Sequence, residues 1–365
     1  MKRLYLVIMA ICMTALVSCF SPWEGGDGTI TIAFSDNSGL SVRSAEFTPF
    51  NAAGGTYEIR LIGPGGVELI ETVPMGVSAI TVRIEVIPGD WTVSVHSIDN
   101  NGDLAGIGFA EAPVTVIAGQ SSEPVQISMN TAFEASTFNE LEQAINSATG
   151  FSHAYILISG NIEIGSRLDV TGDITLISDG ETAISRGVDF EHQLFEANGG
   201  VLILGRSGMS GSIIIDGGGR HATFPLINVS SGGHMEMHNG VTLRGNDSIS
   251  AGGGVSVGSN ATFTMHGGMI SGNNTGDPYP GDGGGVFIGT NATFTMHDGT
   301  ISGNTVRNGN GGGVYVSNGG HFVMYGGTIS GNTANGNGNA VYVFAGETAL
   351  IFGQSREGAI DEDLP

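Results

Sequence analysis

The chain has 365 residues, 40% of them hydrophobic, so it can bury a sizeable core, and its length allows roughly two domains. Only 12 basic residues stand against 35 acidic ones, a net charge of −23. That balance excludes electrostatic attraction to phosphate backbones or anionic lipid headgroups, so no nucleic acid is expected as a partner.

Residues 1–19 open with Lys2 and Arg3 and continue in "LYLVIMAICMTALV", an apolar run shorter than the ~20 residues a spanning helix needs. This is the layout of an export signal. It ends in "LVSC", Leu16 to Cys19, which resembles the lipobox of bacterial lipoproteins, with an aliphatic residue three places before Cys and a small one just before it. The resemblance implies that Cys19 becomes the lipidated first residue of a chain anchored in the bacterial cell envelope, at the outer membrane or cell surface. Cys12 would leave with the signal and Cys19 would be acylated, leaving no thiol for a disulfide, a metal or nucleophilic catalysis. Residues 20–28, "FSPWEGGDG", form a short tether.

Residues 29–130 alternate apolar and polar positions in "TITIAF", "YEIRLI", "ITVRIEVI", "WTVSVHSI", "VTVIA" and "VQISM", broken by "GPGG", "PGD", "NNGD" and "AGQ". Such runs predict sheets with one buried face, packed as a β-sandwich. The block from Trp91 to Met129 resembles the carboxypeptidase-regulatory or prealbumin-like sandwich modules of secreted bacterial proteins, a resemblance that brings no catalytic residue. Asp99, Asn101 and Asp103 have the spacing of a calcium loop, but Leu104 stands where such a loop needs Gly and Ala110 where it needs Glu. A polar hairpin turn is the reading.

Residues 131–150 hold the one convincing helix. Thr137 and Glu140 form a capping box, Phe138, Leu141, Ile145 and Ala148 recur at helical spacing, and Gly150 stops the run. A single amphipathic helix ahead of a repeat array is suited to lid the open apolar end of the first coil.

From residue 151 to 355 the chain repeats itself: "FTMHGGMISGN", "FTMHDGTISGN" and "FVMYGGTISGN" begin at Phe263, Phe294 and Phe322. The equivalent positions Leu202, Met235, Phe263, Phe294, Phe322 and Ala349 are separated by 33, 28, 31, 28 and 27 residues, a solenoid period. Each copy carries three short stretches such as "FTMH", "TIS" and "GGVYV" joined by Gly/Asn turns. This predicts an all-β chain ending in a parallel β-helix with three strands per coil, right-handed by the rule for parallel crossovers. Phe and Met of the first stretch, Ile of the second and Val of the third fall on inward positions. Asn246, Asn273, Asn304 and Asn332 follow Gly at a corner, where a left-handed conformation and a coil-to-coil ladder of amides are expected. The "GGGV" and "SGN" punctuation resembles the right-handed β-helix repeat family, which includes pectate-lyase-like enzymes and surface adhesins, and the resemblance runs from about Ala154 to Phe352. Residues 356–365 remain as a C-terminal tail.

Three outward features are candidates for chemistry. His238, His266 and His297 stack at one position with Tyr325 as the next member. A metal could bridge them, but no Cys, Asp or Glu recurs beside them, so neither metal nor cofactor is expected. Phe287, Tyr315 and Tyr342 lie between inward residues and form an outward row suited to stacking on sugar rings, or else to coverage by a loop such as "DPYPGD". Asp216, Arg220 and His221 in "IIIDGGGRHATFP" bring an acid, a guanidinium and an imidazole into one turn, the place to look for catalysis if the protein is an enzyme. Lyases of this fold need a base beside calcium-holding carboxylates, and glycosidases need paired carboxyl groups. The chain's only lysine is Lys2, and no carboxylate recurs from coil to coil. The expectation is therefore a non-catalytic, lipid-anchored envelope protein that contacts a glycan or a surface protein. The alternative is a polysaccharide lyase or glycoside hydrolase.

Overall fold

The structure, a computed structural model, describes residues 28–35, 55–75, 79–362 and 364, apart from 111, 124, 210, 220, 231 and 357. The signal, Cys19, all of the tether but Gly28, and Arg220 lie outside the described residues. Among those described, no helix is long and apolar enough to cross a membrane.

The chain is all-β with one α-helix among the described residues. Its first part contains β1 (Gly28–Ser35), β2 (Thr56–Ile62), β3 (Glu68–Pro74), β4 (Ala79–Val86), β5 (Gly89–Ile98), β6 (Leu104–Phe109), β7 (Val114–Val116), β8 (Val125–Gln126) and β9 (Ser128–Ala135). β4, β1 and β8 form one small sheet, while β3, β2, β5, β6 and β9 line up in that order in another. Alternation puts Ile59 and Leu61 of β2 and Trp91, Val93 and Val95 of β5 on one face, where they share a buried cluster with Ile30 and Ile32 of β1 and Val86 of β4. The loop from Asp99 to Asp103 is a polar hairpin turn between β5 and β6. One Asp99 carboxylate oxygen accepts from the backbone of Asn101 at 2.8 Å and of Asp103 at 2.9 Å.

Strand β9 joins this sheet to the repeat array. It pairs antiparallel with β6 through residues such as Met129↔Gly108, then parallel with β10 (Ala154–Ile158) from Thr131↔Ala154 to Ala135↔Ile158. The second sheet therefore continues without a break into the first wall of a parallel β-solenoid. Between β9 and β10 lies α1 (Phe138–Ala148). The Thr137 hydroxyl accepts from the Glu140 backbone at 3.3 Å, and the Glu140 carboxylate accepts from the Thr137 backbone at 3.0 Å. Leu141, Ala144, Ile145 and Ala148 are buried against the first coil's Ile156, Ile162 and Leu168, which closes that end of the core.

The coil containing Phe263 illustrates the array. Thr262–Met265 belongs to the first wall, Met269–Ser271 to the second, and Val286–Ile288 to the third. A fourth, two-residue strand, Asn274–Thr275, follows the second wall and stacks in a sheet of its own with His221–Ala222, Asp247–Ser248, Thr305–Val306 and Thr333–Ala334. The expectation of three strands per coil missed it, because two residues carry no readable periodicity. In-register pairing stacks like on like: Phe263, Phe294 and Phe322 pair in sequence, as do Met265, Met296 and Met324. The phenylalanine rings lie 4.7 and 5.1 Å apart and nearly parallel.

The asparagine ladder is present and buried. The backbone of each member donates to the next amide oxygen, Asn246 to Asn273 at 3.1 Å, Asn273 to Asn304 at 3.0 Å and Asn304 to Asn332 at 2.9 Å. The left-handed conformation belongs to the residues before them: Gly245, Gly272, Gly303 and Gly331 have φ of 68°, 63°, 63° and 62°, a correction to the expected role of Asn. The residues expected as a tail fold back. Gln354–Arg356 and Gly358–Ile360 pair antiparallel with the last strands of the first and third walls, and Ile360 and Leu364 are buried over the final coil. Both ends of the solenoid core are thus covered.

Candidate groove at the junction of the two parts

The first coils carry apolar residues on both faces, and this creates the site. In β10 the alternate residues Ala154, Ile156 and Ile158 enter the solenoid core, while Tyr155 and Leu157 point the other way. There they are covered by Ile107 of β6 and packed with Ala132 and Ile177. A continuous apolar strand is the mark of burial on both faces. Farther along the wall the cover ends, leaving a groove of about 470 Å³ between Phe109, Ala110, Ala112 and Pro113 and the solenoid, with Tyr155, Arg206, Glu236 and His238 on its wall side.

Arg206 is the charged centre of this groove. Its guanidinium lies 4.3 Å from the centre of the Phe109 ring and donates to the Tyr155 hydroxyl at 3.2 Å. Phe109 meets Tyr155 edge to face at 5.3 Å. His153 packs at 5.0 Å from Tyr155 and shares a 3.1 Å hydrogen bond with the Thr175 hydroxyl. Burial pushes the His153 imidazole below its ordinary value; Asp173 pulls it up and Arg206 adds to the lowering.

At the rim the histidine stack takes the expected form. The rings of His238 and His266 are 4.7 Å apart, those of His266 and His297 5.3 Å, and Tyr325 continues the row at 5.2 Å from His297. One feature departs from expectation: Glu236, two residues before His238, reaches both of its neighbours. Its Oε2 is 3.5 Å from His238 Nε2 and 3.6 Å from His266 Nε2, and its Oε1 is 3.0 Å from His234 Nε2. No acid has to recur from coil to coil for this: one acid serves two imidazoles of the stack because the coils lie so close together. Burial works to raise the Glu236 carboxyl, but the His234 hydrogen bond and the three neighbouring histidines hold it below its ordinary value. Burial, then the charge of His266, keeps the His238 imidazole low, against the pull of Glu236.

The other candidates lie elsewhere. Phe287, Tyr315 and Tyr342 form a stacked row with ring centres 5.5 and 5.3 Å apart. They lie outside the core as expected, but Tyr315 is only 9% exposed and its neighbours are half-buried. The glycine turns at Gly311 and Gly338 fold back onto Tyr315 and Tyr342, so close that a Cβ there would come within 2.8 Å. Burial, with the charge of Asp282 after it, pushes the Tyr315 phenol up to about 12. Asp216 pairs with Arg244 at 2.8 Å and accepts from the Gly218 backbone. His221 stands 3.5 Å from Asp247, which also binds Arg307. Asp216 and His221 thus engage separate partners.

Sequence reasoning passed over Tyr155, Arg206, Glu236 and His234. The readable signal was the apolar strand "AYILI", which requires a second layer above it, and hence an edge where that layer stops. No protein-family model, curated protein or solved structure matches the chain.

Proposed function

We propose that the protein is a lipid-anchored lipoprotein of the bacterial cell envelope that binds a glycan in the groove between its N-terminal sheets and its solenoid. The groove carries this reading: its volume, about 470 Å³, falls in the range of roughly 300 to 1,000 Å³ typical of small-ligand sites. Aromatic and aliphatic walls with a few convergent polar groups, here Arg206, His153 and Glu236, are what orient a hydroxylated ligand. The lipobox-like "LVSC" and the acidic chain support attachment by lipid rather than by charge. In this reading residues 29–130 are a prealbumin-like sandwich, supported by the apolar cluster its two sheets share, and the solenoid is the three-walled, right-handed kind, supported by its parallel register.

The test is a glycan array on the chain from residue 20, with fractionation of cells carrying Cys19→Ala. Cys19→Ala is expected to shift the protein from the membrane to the soluble fraction; an unchanged partition removes the anchor. Arg206→Ala is expected to abolish array binding with little change in melting temperature. Loss of binding instead in a folded Phe287→Ser, Tyr315→Ser, Tyr342→Ser variant moves the site to the aromatic row. Release of reducing ends that disappears with Asp216→Asn or His221→Ala replaces this reading with a carbohydrate-active enzyme.

A further inference from the structure

We infer that Glu236, His238 and His266 form a binding site for a divalent transition-metal ion, with zinc the best fit, at the rim of the groove. The inference stands on these residues alone and does not rest on the groove's ligand being a glycan. It reverses the expectation of no metal drawn from the sequence.

The local fold supplies the donors. In His234–Met237, alternation sends Met235 and Met237 into the core and leaves His234 and Glu236 outside, and His238 follows at the turn. One coil on, His266 takes the place above His238, so stacking sets the two rings 4.7 Å apart. One nitrogen from each ring and one Glu236 oxygen then lie within 4.8 Å of one another. Around a tetrahedral zinc with ligands at ~2.1 Å, neighbouring donors sit about 3.4 Å apart. The two oxygen-to-nitrogen edges, 3.5 and 3.6 Å, are already near that length. The nitrogen-to-nitrogen edge is within 4.8 Å, and a tilt of His266, 39% exposed, can bring it to the same length.

The donor chemistry agrees. Two imidazoles and one carboxylate are a borderline set that favours zinc and its neighbours over calcium, which takes six to eight oxygens. Each imidazole offers a ring nitrogen and Glu236 a carboxylate oxygen, the atoms such an ion takes. His234 completes the arrangement as a positioning residue. Its Nε2 bonds the other Glu236 oxygen at 3.0 Å and its Nδ1 meets the Thr262 hydroxyl at 2.5 Å, which fixes the carboxylate and leaves Oε2 for the ion. Three protein ligands leave a fourth position, and because Glu236 and His238 also line the groove, that position faces a space that admits water or a ligand oxygen.

The experiment is calorimetric titration of the chain from residue 20 with zinc chloride at pH 7.5, with cobalt(II) as a spectroscopic probe. One zinc per chain is expected. Glu236→Gln, which preserves shape, and His266→Ala, at an exposed position, are each expected to weaken zinc by at least tenfold while the circular dichroism spectrum stays unchanged. His297→Ala, which removes a ring of the stack outside the donor set, should leave the affinity within twofold. Cobalt should give the visible absorption of a tetrahedral ion, lost in Glu236→Gln. Absence of saturable one-to-one binding overturns the site, and so does an affinity that Glu236→Gln leaves untouched. Equal weakening by His297→Ala would mean that zinc meets only an exposed row of histidines.

Discussion

His96 is 3% exposed and shares a small cavity with Arg60 and Asp179, at the seam between β5 and the solenoid. Burial, and after it the charge of Arg60, pushes its imidazole down to about 4, while Glu58 and Asp179 pull the other way. The folded protein therefore holds this histidine neutral, whereas the unfolded chain protonates it near pH 6.5. Its contribution to stability is complete above pH 6.5 and is lost as the pH falls through 4, in all about 3 kcal/mol. Denaturant titrations across that window should show the decline, and in His96→Leu it should be shallower by about that amount; equal declines would mean His96 protonates freely in the fold. Arg186 is the other buried cationic side chain of note. It donates to the Asn246 amide oxygen at 3.0 Å and to the His192 carbonyl. Asn246 is the first rung of the asparagine ladder, so its oxygen has no earlier rung to satisfy it, and the guanidinium takes that place at a cost visible in a pKa lowered to about 10 by burial. Nothing in a local motif links residues 186 and 246, and such a pair becomes legible only when the coils are stacked.

The walls were the most legible part of the chain, because the three central coils repeat one pattern: Phe263, Phe294 and Phe322 with Met265, Met296 and Met324 on the first wall, Ile270, Ile301 and Ile329 on the second, and Val286, Val314 and Val341 on the third. The expected inward set is buried throughout, and the capping box of α1 is formed as its sequence implied. Illegible elements were those without period or repeat: the two-residue corner strands, the closing hairpin at the C-terminus, and Glu236, which occurs once. A direct check of the inward assignment compares neighbours on one strand. Phe294 is fully buried between Phe263 and Phe322, while Thr295 is half-buried and outside the core. Phe294→Asp places an unpaired carboxylate between two rings and should cost several kcal/mol. Thr295→Asp should stay within ~0.5 kcal/mol. Melting curves of the two variants that coincide would mean the strand is turned the other way.

Two parts of different pattern, alternating sheets and a repeat array, suggest separable beads on a string, but β9 ties them through one ladder of backbone hydrogen bonds. Its first residues complete the antiparallel sheet and its last ones seat the first coil, so each part supplies the other with an edge partner. The same joint places Ile107 over Tyr155 and Leu157, and it fixes Phe109 against Arg206. The groove therefore exists only while both parts are folded together. A fragment of residues 128–365 would keep β9 and α1 but leave the β6 side of β9 unpaired and the apolar outer face of β10 uncovered. An unpaired strand edge beside an apolar patch invites pairing with another chain. The fragment should melt below the intact chain and should self-associate in light scattering, whereas the intact chain should unfold in a single transition. If the fragment stays monomeric and melts at the temperature of the intact chain, the N-terminal sheets contribute nothing to the solenoid, and a groove built on their contact would be too loose to hold a ligand.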